Sequence, residues 1–443
     1  MRLEDARLDS MTAHQSADGD AMMALIEELF PICRSITGNG LRRTLEILRR
    51  CVPLEIREVA SGTQVFDWTI PPEWNIREAY IAREDGTRVV DFATHNLHIV
   101  QYSRPIDTTM PLAELRPHLH TLPDQPDWIP YRTSYYKEDW GFCLTHRTLS
   151  ALPEGRYRVV IDADLAPGHL CYGELVISGE TDETVLFSCH VCHPSLANDN
   201  LAGVAVAVML ARHVLSIRPR HSYRFLFIPG TIGSLTWLAR NEDAIRHISH
   251  GLVLSCLGDA GGMTYKQSRR GIAAIDRIVT HVLRHDQVPH RIVPFIPYGY
   301  DERQYCSPGF NLPVGCLMRT PHGEYPEYHS SADNLALLRP ESLVHSLDVL
   351  RRVVAVIEGD AVYLSRNPKG EPQLGRRGLY AASGGHGGLG YDQMALLWVL
   401  NLADGEHSLL DMAERAGVPF ATIRAAADAL IGAELLEQFA KTN

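Results

Sequence analysis

The sequence predicts an α/β protein: a mostly parallel sheet flanked by helices, with a small β-rich insertion and a C-terminal winged-helix domain. Three observations carry that prediction. From residue 156 strand-like apolar runs alternate with helix-like segments. Short alternating runs, turn signals and prolines interrupt the N-terminal third. Three short helical patterns follow a Gly/Pro-rich linker near the C-terminus. At 443 residues the chain is long for one domain, and two or three are expected.

Taken in order, MRLEDARLDSMTAHQSADGD is polar and mixed in charge, without the apolar core of a signal peptide, and reads as a frayed leader. Residues 21–50 read as two amphipathic helices broken at Thr37-Gly38-Asn39-Gly40. Residues 62–135 hold short alternating runs, an Asp85-Gly86 hairpin signal and the prolines 117, 123, 126 and 130, a β-rich insertion. The α/β domain is therefore expected over 21–61 and 136–365. Its strands are RYRVVIDADL, LCYGELVISG, TVLFSCH and YRFLFIPG; its helices include LAGVAVAVMLARHVL, SLTWLARNEDAIRHI and IAAIDRIVTHVLRHD. Residues 366–391 read as a linker and 392–443 as the winged-helix unit. The last helix of that unit offers Arg424 against Asp428, Glu434 and Glu437, the wrong balance for gripping phosphates, which favours a packing or dimerisation role and a homo-oligomer.

Composition narrows the function. A formal charge of −11 and a pI near 6.0 argue against nucleic acid as partner. No run approaches the roughly 18 apolar residues of a membrane span. Nine scattered cysteines without an export signal suggest reduced thiols and a cytoplasmic protein.

One stretch, SCHVCHPSLANDNLAG at 188–203, admits three chemistries. Cys189-His190-Val191-Cys192-His193 matches a haem c attachment pattern, but that chemistry belongs to exported compartments. Cys189 and Cys192 form a C-x-x-C, yet Pro194 and a polar loop follow, where a redox pair opens a helix; no second Cys/His pair completes a structural zinc site. The third reading puts a catalytic metal on His190, at a strand end, and Asp199. Each has an ordinary alternative: Asp199 as a helix N-cap, His190 as a structural histidine. A later stretch, EYPEYHSSADNL at 324–335, supplies His329 before another helix start, with Asp333 as its N-cap. His…Asp…His across strand-to-helix junctions is a metal constellation that neither alternative explains.

SCHVCHPSLANDNLAG resembles the segment of zinc aminopeptidases with a strand-end histidine ligand and the metal-binding Asp of an N-D-N helix start, and EYHSSADN is similar to their later histidine ligand. YDERQYCSPGFNLPVG (300–315), CLMRTP (316–321) and EPQLGRRGLY (371–380) are similar to a subset: aminopeptidase-like proteins associated with polysaccharide biosynthesis, with a β insertion and a C-terminal winged helix. The resemblance spans roughly residues 21–440. It implies zinc held by His190, Asp199 and His329. It also shows a departure: FLFIPGTIGS has Gly230-Thr231 where the aminopeptidases have Glu-Glu, the general base and a further ligand. Cys192 stands where peptidases place an acid that orients the first histidine, and His193 is a supporting or alternative ligand. The third carboxylate position falls on Cys256 or Asp259. One zinc is favoured over two.

Peptide hydrolysis needs a proton shuttle as well as zinc, worth about 10²–10⁴-fold, and glycine supplies none. Either another acid replaces it, with Glu302 and Glu327 the leading candidates and Glu324 and Asp301 behind them, or the leaving group is easier, or the site binds without turnover. Tyr300, Asp301, Arg303 and Arg319 are expected to bind substrate, an arginine by gripping a carboxylate. The expected function is a zinc-dependent aminopeptidase-like hydrolase acting on an amide of a small amino-bearing or short peptide-like substrate. The alternative is a catalytically silent binding or assembly protein on the same fold.

Overall fold

The computed structural model describes residues 3–379 and 392–439, with side chains from residue 16 onward. The chain divides into two compact units, Met1–Ile275 with Arg291–Leu347, and Asp276–His290 with Asp348–Asn443.

The first unit is built on strands β1 (Glu55–Ala60), β2 (His169–Ile177), β3 (Thr184–His190), β4 (Ser222–Ile228), β5 (Ile248–Leu254), β6 (Met263–Lys266), β7 (His290–Val293) and β8 (Val314–Met318). They form one sheet in the order β1-β2-β4-β3-β5-β8-β6-β7. The four central strands are parallel, with Phe187 of β3 opposite Phe225 of β4 and Leu252 of β5. Strand β1 runs antiparallel to β2, β2 to β4 and β6 to β8, so the sheet is mixed. An apolar run such as LCYGELVI marks a strand buried on both faces but does not encode its direction.

Helices cover the sheet. Gly203–Ser216 is almost wholly buried along GVAVAVML, as a helix of small and β-branched residues beneath a sheet must be. At the N-terminus, helix Leu3–Leu29 begins well before the expected residue 21 and buries Met22, Ile26 and Leu29. The next helix, Asn39–Cys51, turns Leu41, Leu45 and Leu48 inward at helical spacing. The break between them depends on Gly40: a Cβ there would lie 1.8 Å from the Cys33 carbonyl oxygen.

The β insertion exists and is larger than its composition suggested. A hairpin of Gln64–Val65 and Trp68–Thr69 precedes a four-stranded sheet in the order Arg88–Asp91, Glu73–Arg83, Arg156–Ala166, Ile106–Pro111. The Asp85-Gly86 signal is the turn of its first hairpin, with Gly86 at φ 85° and Asp85 accepting the Thr87 N–H. RYRVVIDADL, expected in the α/β sheet, is instead one of the two central strands of this one. Its alternating burial is what an antiparallel sheet with one covered face requires.

The second unit contains the winged-helix module. Helices Gln393–Leu402, Leu409–Ala416 and Phe420–Gly432 join a three-stranded sheet of Val362–Ser365, Asp404–Ser408 and Leu436–Gln438. The module therefore starts at residue 362 rather than 392, because the four-residue strand VYLS belongs to it. The linker expected at 366–391 runs inside it, and residues 380–391 lie outside the described residues. Arg424 is engaged by Asp428 one turn away and by the Gly359 carbonyl. Among the described residues no helix is long and apolar enough to cross a membrane.

Candidate metal centre

Strand β3 ends at His190, and the following loop delivers Asp199 before the helix at Gly203. Asp199 makes no capping hydrogen bond; its side chain, wholly buried, turns into the fold. Its Oδ1 lies 2.8 Å from His190 Nε2, and its Oδ2 lies 3.1 Å from His329 Nε2 and 3.9 Å from His193 Nε2. The structure thus sets His190 and His329 on the two different oxygens of Asp199 and adds His193, whose ligand atom, with those of His190 and Asp199, completes a set within 4.8 Å of one another. Burial disfavours the Asp199 carboxylate, but His193 and His190 outweigh it and hold the group ionised, well below the usual range.

Neighbouring loops present this carboxylate. Asp333, expected as an N-cap, instead accepts the N–H groups of Asn198 (2.6 Å) and Asp199 (3.0 Å), while Asn334 caps the short 3₁₀ turn beyond it. Asn200 donates to the Leu254 carbonyl, accepts the Cys256 N–H and lies 3.3 Å from His190 Nδ1, tying β3 to β5. Across the site Tyr131 donates its N–H to the His329 carbonyl (2.8 Å), and Ile129 exchanges hydrogen bonds with Ser331. The insertion therefore braces the loop that carries His329.

Two buried groups of donors share Asp199. One is His190, His193 and Asp199; the other is Asp199, Cys256 and His322, each with its ligand atoms within 4.8 Å of one another. Cys256, rather than Asp259, is the residue after β5 that faces the site. Asp259 accepts hydrogen bonds from Asn198, Gly261 and Thr320 instead. Burial keeps the Cys256 thiol well above its ordinary pKa and lowers His322 to about 4, so that imidazole is neutral, as a ligand must be.

The donor set fits a divalent metal of the kind imidazole and carboxylate bind. Asp199 Oδ2 and His329 Nε2 are both buried and face one another at 3.1 Å, with no well-directed hydrogen bond to any other group. His329, Cys256 and Thr231 have left-handed φ values of 55°, 49° and 62°. Such conformations cost of order 1–3 kcal/mol each and cluster where a site over-determines them.

The neighbours of the centre explain the missing glutamate. Tyr300 stacks on His190 with ring centroids 3.7 Å apart. A Cβ at Gly230 would lie 1.8 Å from the Tyr300 hydroxyl oxygen, so this phenol occupies the space a side chain at 230 would take. Burial holds the phenol protonated, far above its ordinary pKa. Cys192 sits beside His193 (Sγ to Nδ1, 3.3 Å), and accepts the Gly230 N–H. It orients the second histidine of the motif and not His190. Arg34, fully buried, donates two hydrogen bonds to the His193 carbonyl and holds that loop.

A cavity of about 750 Å³ opens over the centre, walled by Trp68, Tyr131, Tyr135, Tyr136 and Tyr300, with His193, His329 and Arg303 on its surface. Of the expected substrate-binding residues, Tyr300 and Arg303 line it. Asp301 does not: its Oδ1 accepts the Thr231 N–H and the Ser234 hydroxyl, and burial raises its pKa to about 6. Arg319 does not either, being buried against the carbonyls of Gly261 and Ser342. The expected acids are also elsewhere. Glu302 is buried in an ion pair with Lys266 and accepts the Tyr300 N–H; Glu327 is half-buried outside the cavity lining.

His322 and Tyr131 were not anticipated. His322 had a visible signal, since CLMRTPHGE places a histidine just past the end of β8, as His190 stands at the end of β3. Tyr131 had none, because its role depends on the insertion folding back over the sheet.

Comparison with known proteins agrees with this architecture. The domain of unknown function DUF4910 matches residues 23–360, and a winged helix-turn-helix family matches residues 361–438. The chain is 51% identical over 424 residues to a Clostridium acetobutylicum protein provisionally named a polysaccharide biosynthesis protein with aminopeptidase-like domain; the match covers 96% of this chain and 98% of that one. The crystal structure of a protein from the same organism, provisionally named a peptidase, superposes with a TM-score of 0.92 at 49% identity, covering 98% of this chain and 100% of the other. BSAP, a zinc aminopeptidase from Bacillus subtilis, shares the fold at 12% identity, with a TM-score of 0.57 over 76% of this chain and 94% of its own.

Proposed function

This chain belongs to the DUF4910 family, aminopeptidase-like in fold, and on that premise we propose that it is a zinc-dependent hydrolase that cleaves an amide of a small substrate in the cavity over Asp199. The observation that carries the proposal is the convergence of His190, His329 and His193 on the two oxygens of the buried Asp199, at 2.8, 3.1 and 3.9 Å, beside that cavity. His190, Asp199 and His329 would hold one zinc. Bound there, zinc would polarise an amide carbonyl and lower the pKa of a bound water to about 7.

The residues of the chain define the rest. Arg34 and Asp333 fix the loops that carry His193 and Asp199. The protonated Tyr300 hydroxyl can donate a hydrogen bond to a developing oxyanion, but it cannot take a proton from water near neutral pH. No carboxylate lines the cavity among the described residues, so no enzyme acid stands ready for a poor leaving amine. An amine leaves an amide only as it takes up a proton, so that proton would have to come from the substrate itself or from water entering the cavity. We extend to this chain the biosynthetic setting in its relative's name, in the cytoplasm, with the winged-helix unit as a self-association surface.

The same geometry favours a second reading, a silent binding protein, because Tyr300 blocks the position where a base would be restored. Metal content of the purified protein, beside His190→Ala and His329→Ala, tests the first. About one zinc per chain, lost in both variants, together with amide hydrolysis, supports the hydrolase. A protein that takes up no zinc even when it is supplied refutes it.

A further inference from the structure

The cavity has an unusual charge inventory for a site that would receive an amino terminus. Among the described residues that line it there is no aspartate and no glutamate, and apart from histidines its one charged side chain is Arg303. The nearby acids are all committed. Glu302 is paired with Lys266. Asp301 is buried and takes up the Thr231 N–H and the Ser234 hydroxyl. Asp199 faces three histidines. An ammonium group entering this space would lose its hydration without gaining a counter-ion.

Arg303 presents the opposite case. It is exposed, it borders the cavity, and it makes no ion pair with any described residue. A guanidinium in that position is a bidentate receptor for an oxyanion. Beside it the wall is aromatic. Trp68 and Tyr136 meet edge to face at 5.1 Å and remain 39% and 50% exposed, large apolar faces left in solvent at the entrance. The volume suits a drug-sized molecule with an apolar or ring-shaped body.

We propose that the cavity selects an anionic N-acyl compound, one whose amine is already blocked as an amide and which carries a carboxylate or phosphate for Arg303 beside a ring for the aromatic wall, and that it rejects free-amine substrates. This rests on the hydrolase reading only for which bond is cut. The binding preference stands on the lining residues alone, and it replaces the amino-bearing substrate suggested by sequence resemblance.

Calorimetric titration of the full-length protein, with and without supplied zinc, tests it. The probes are N-acetyl-L-phenylalanine, its uncharged amide, cationic L-phenylalaninamide, and phenyl phosphate. One charge-assisted contact predicts that an anionic probe binds about tenfold more tightly than the neutral amide, and that the cation binds most weakly. The tighter of the two anions identifies the group Arg303 receives. Arg303→Gln should erase the preference while leaving zinc content unchanged. Tightest binding by L-phenylalaninamide, absence of binding by both anions, or an anion preference that survives Arg303→Gln overturns the proposal. The two readings fail separately: anion preference in a protein that takes up no zinc refutes only the hydrolase, and cleavage of L-phenylalaninamide by the zinc form refutes only the substrate class.

Discussion

Replacing Gly230 by alanine tests how the centre has been rebuilt. The added Cβ would fall 1.8 Å from the Tyr300 hydroxyl oxygen, 2.3 Å from its Cζ and 2.4 Å from its Cε1, far inside contact distance. The glycine needs no unusual backbone angle, so the penalty is purely steric. Tyr300 cannot easily yield, because its ring lies on His190 and its N–H is held by the Glu302 carboxylate, itself fixed by Lys266. Overpacking of this kind costs about 1–3 kcal/mol. Tyr300→Ala alone removes a buried aromatic ring, at about 3–5 kcal/mol. In the double variant the new methyl group has room, so its cost should fall short of the sum by about 1–3 kcal/mol. Urea unfolding of the three variants, followed by tryptophan fluorescence, measures that coupling. Additivity within about 0.5 kcal/mol would refute the claim that Tyr300 fills the space above residue 230. The same geometry predicts that Gly230→Glu alone cannot restore a general base.

Other expectations follow from the same contacts. Arg34→Met strands the buried carbonyls of Leu29 and His193 and should cost about 2–4 kcal/mol; an unchanged denaturation midpoint would contradict this. Glu73 is lowered to about 2, chiefly by the two hydrogen bonds from Arg42. Its folded pKa lies below its unfolded value of 4.5, so its stabilisation is full above pH 4.5 and disappears as pH falls toward 2. Glu73→Gln should lose about 1–2 kcal/mol near neutral pH after allowance for solvent screening and should flatten the acid limb of a stability–pH curve; an unaltered limb would exclude the pair as its source. His190→Ala and His329→Ala should each reduce bound zinc, read by mass spectrometry, by at least tenfold.

Much of this centre could be read from the sequence, and the exceptions have physical causes. His190 and Asp199 were legible because a strand end and a helix start sit nine residues apart, a spacing that brings their side chains together in an α/β sheet. Cys256 and Asp259 could not be separated, since three residues of loop decide which side chain faces Asp199, and loop conformation follows contacts that local sequence does not contain. The strand at 156–166 was recognised as a strand but assigned to the wrong sheet; alternation reports a covered face, not what covers it. The strand VYLS escaped because four residues are too few for any period. Glu302 looked catalytic because its partner Lys266 is 36 positions away, so nothing near it in sequence revealed that its charge was already spent.

The backbone pairing of residues 129–131 with 329–331 bears on how such a protein can change over generations. A gene shortened at the borders of the insertion would keep the codon for His329 and lose the backbone contacts against which its loop is set. The β insertion and the late histidine loop therefore form one hydrogen-bonded unit. A descendant that shed the first would have to reinvent support for the second, which makes this insertion harder to delete than its position outside the main sheet suggests.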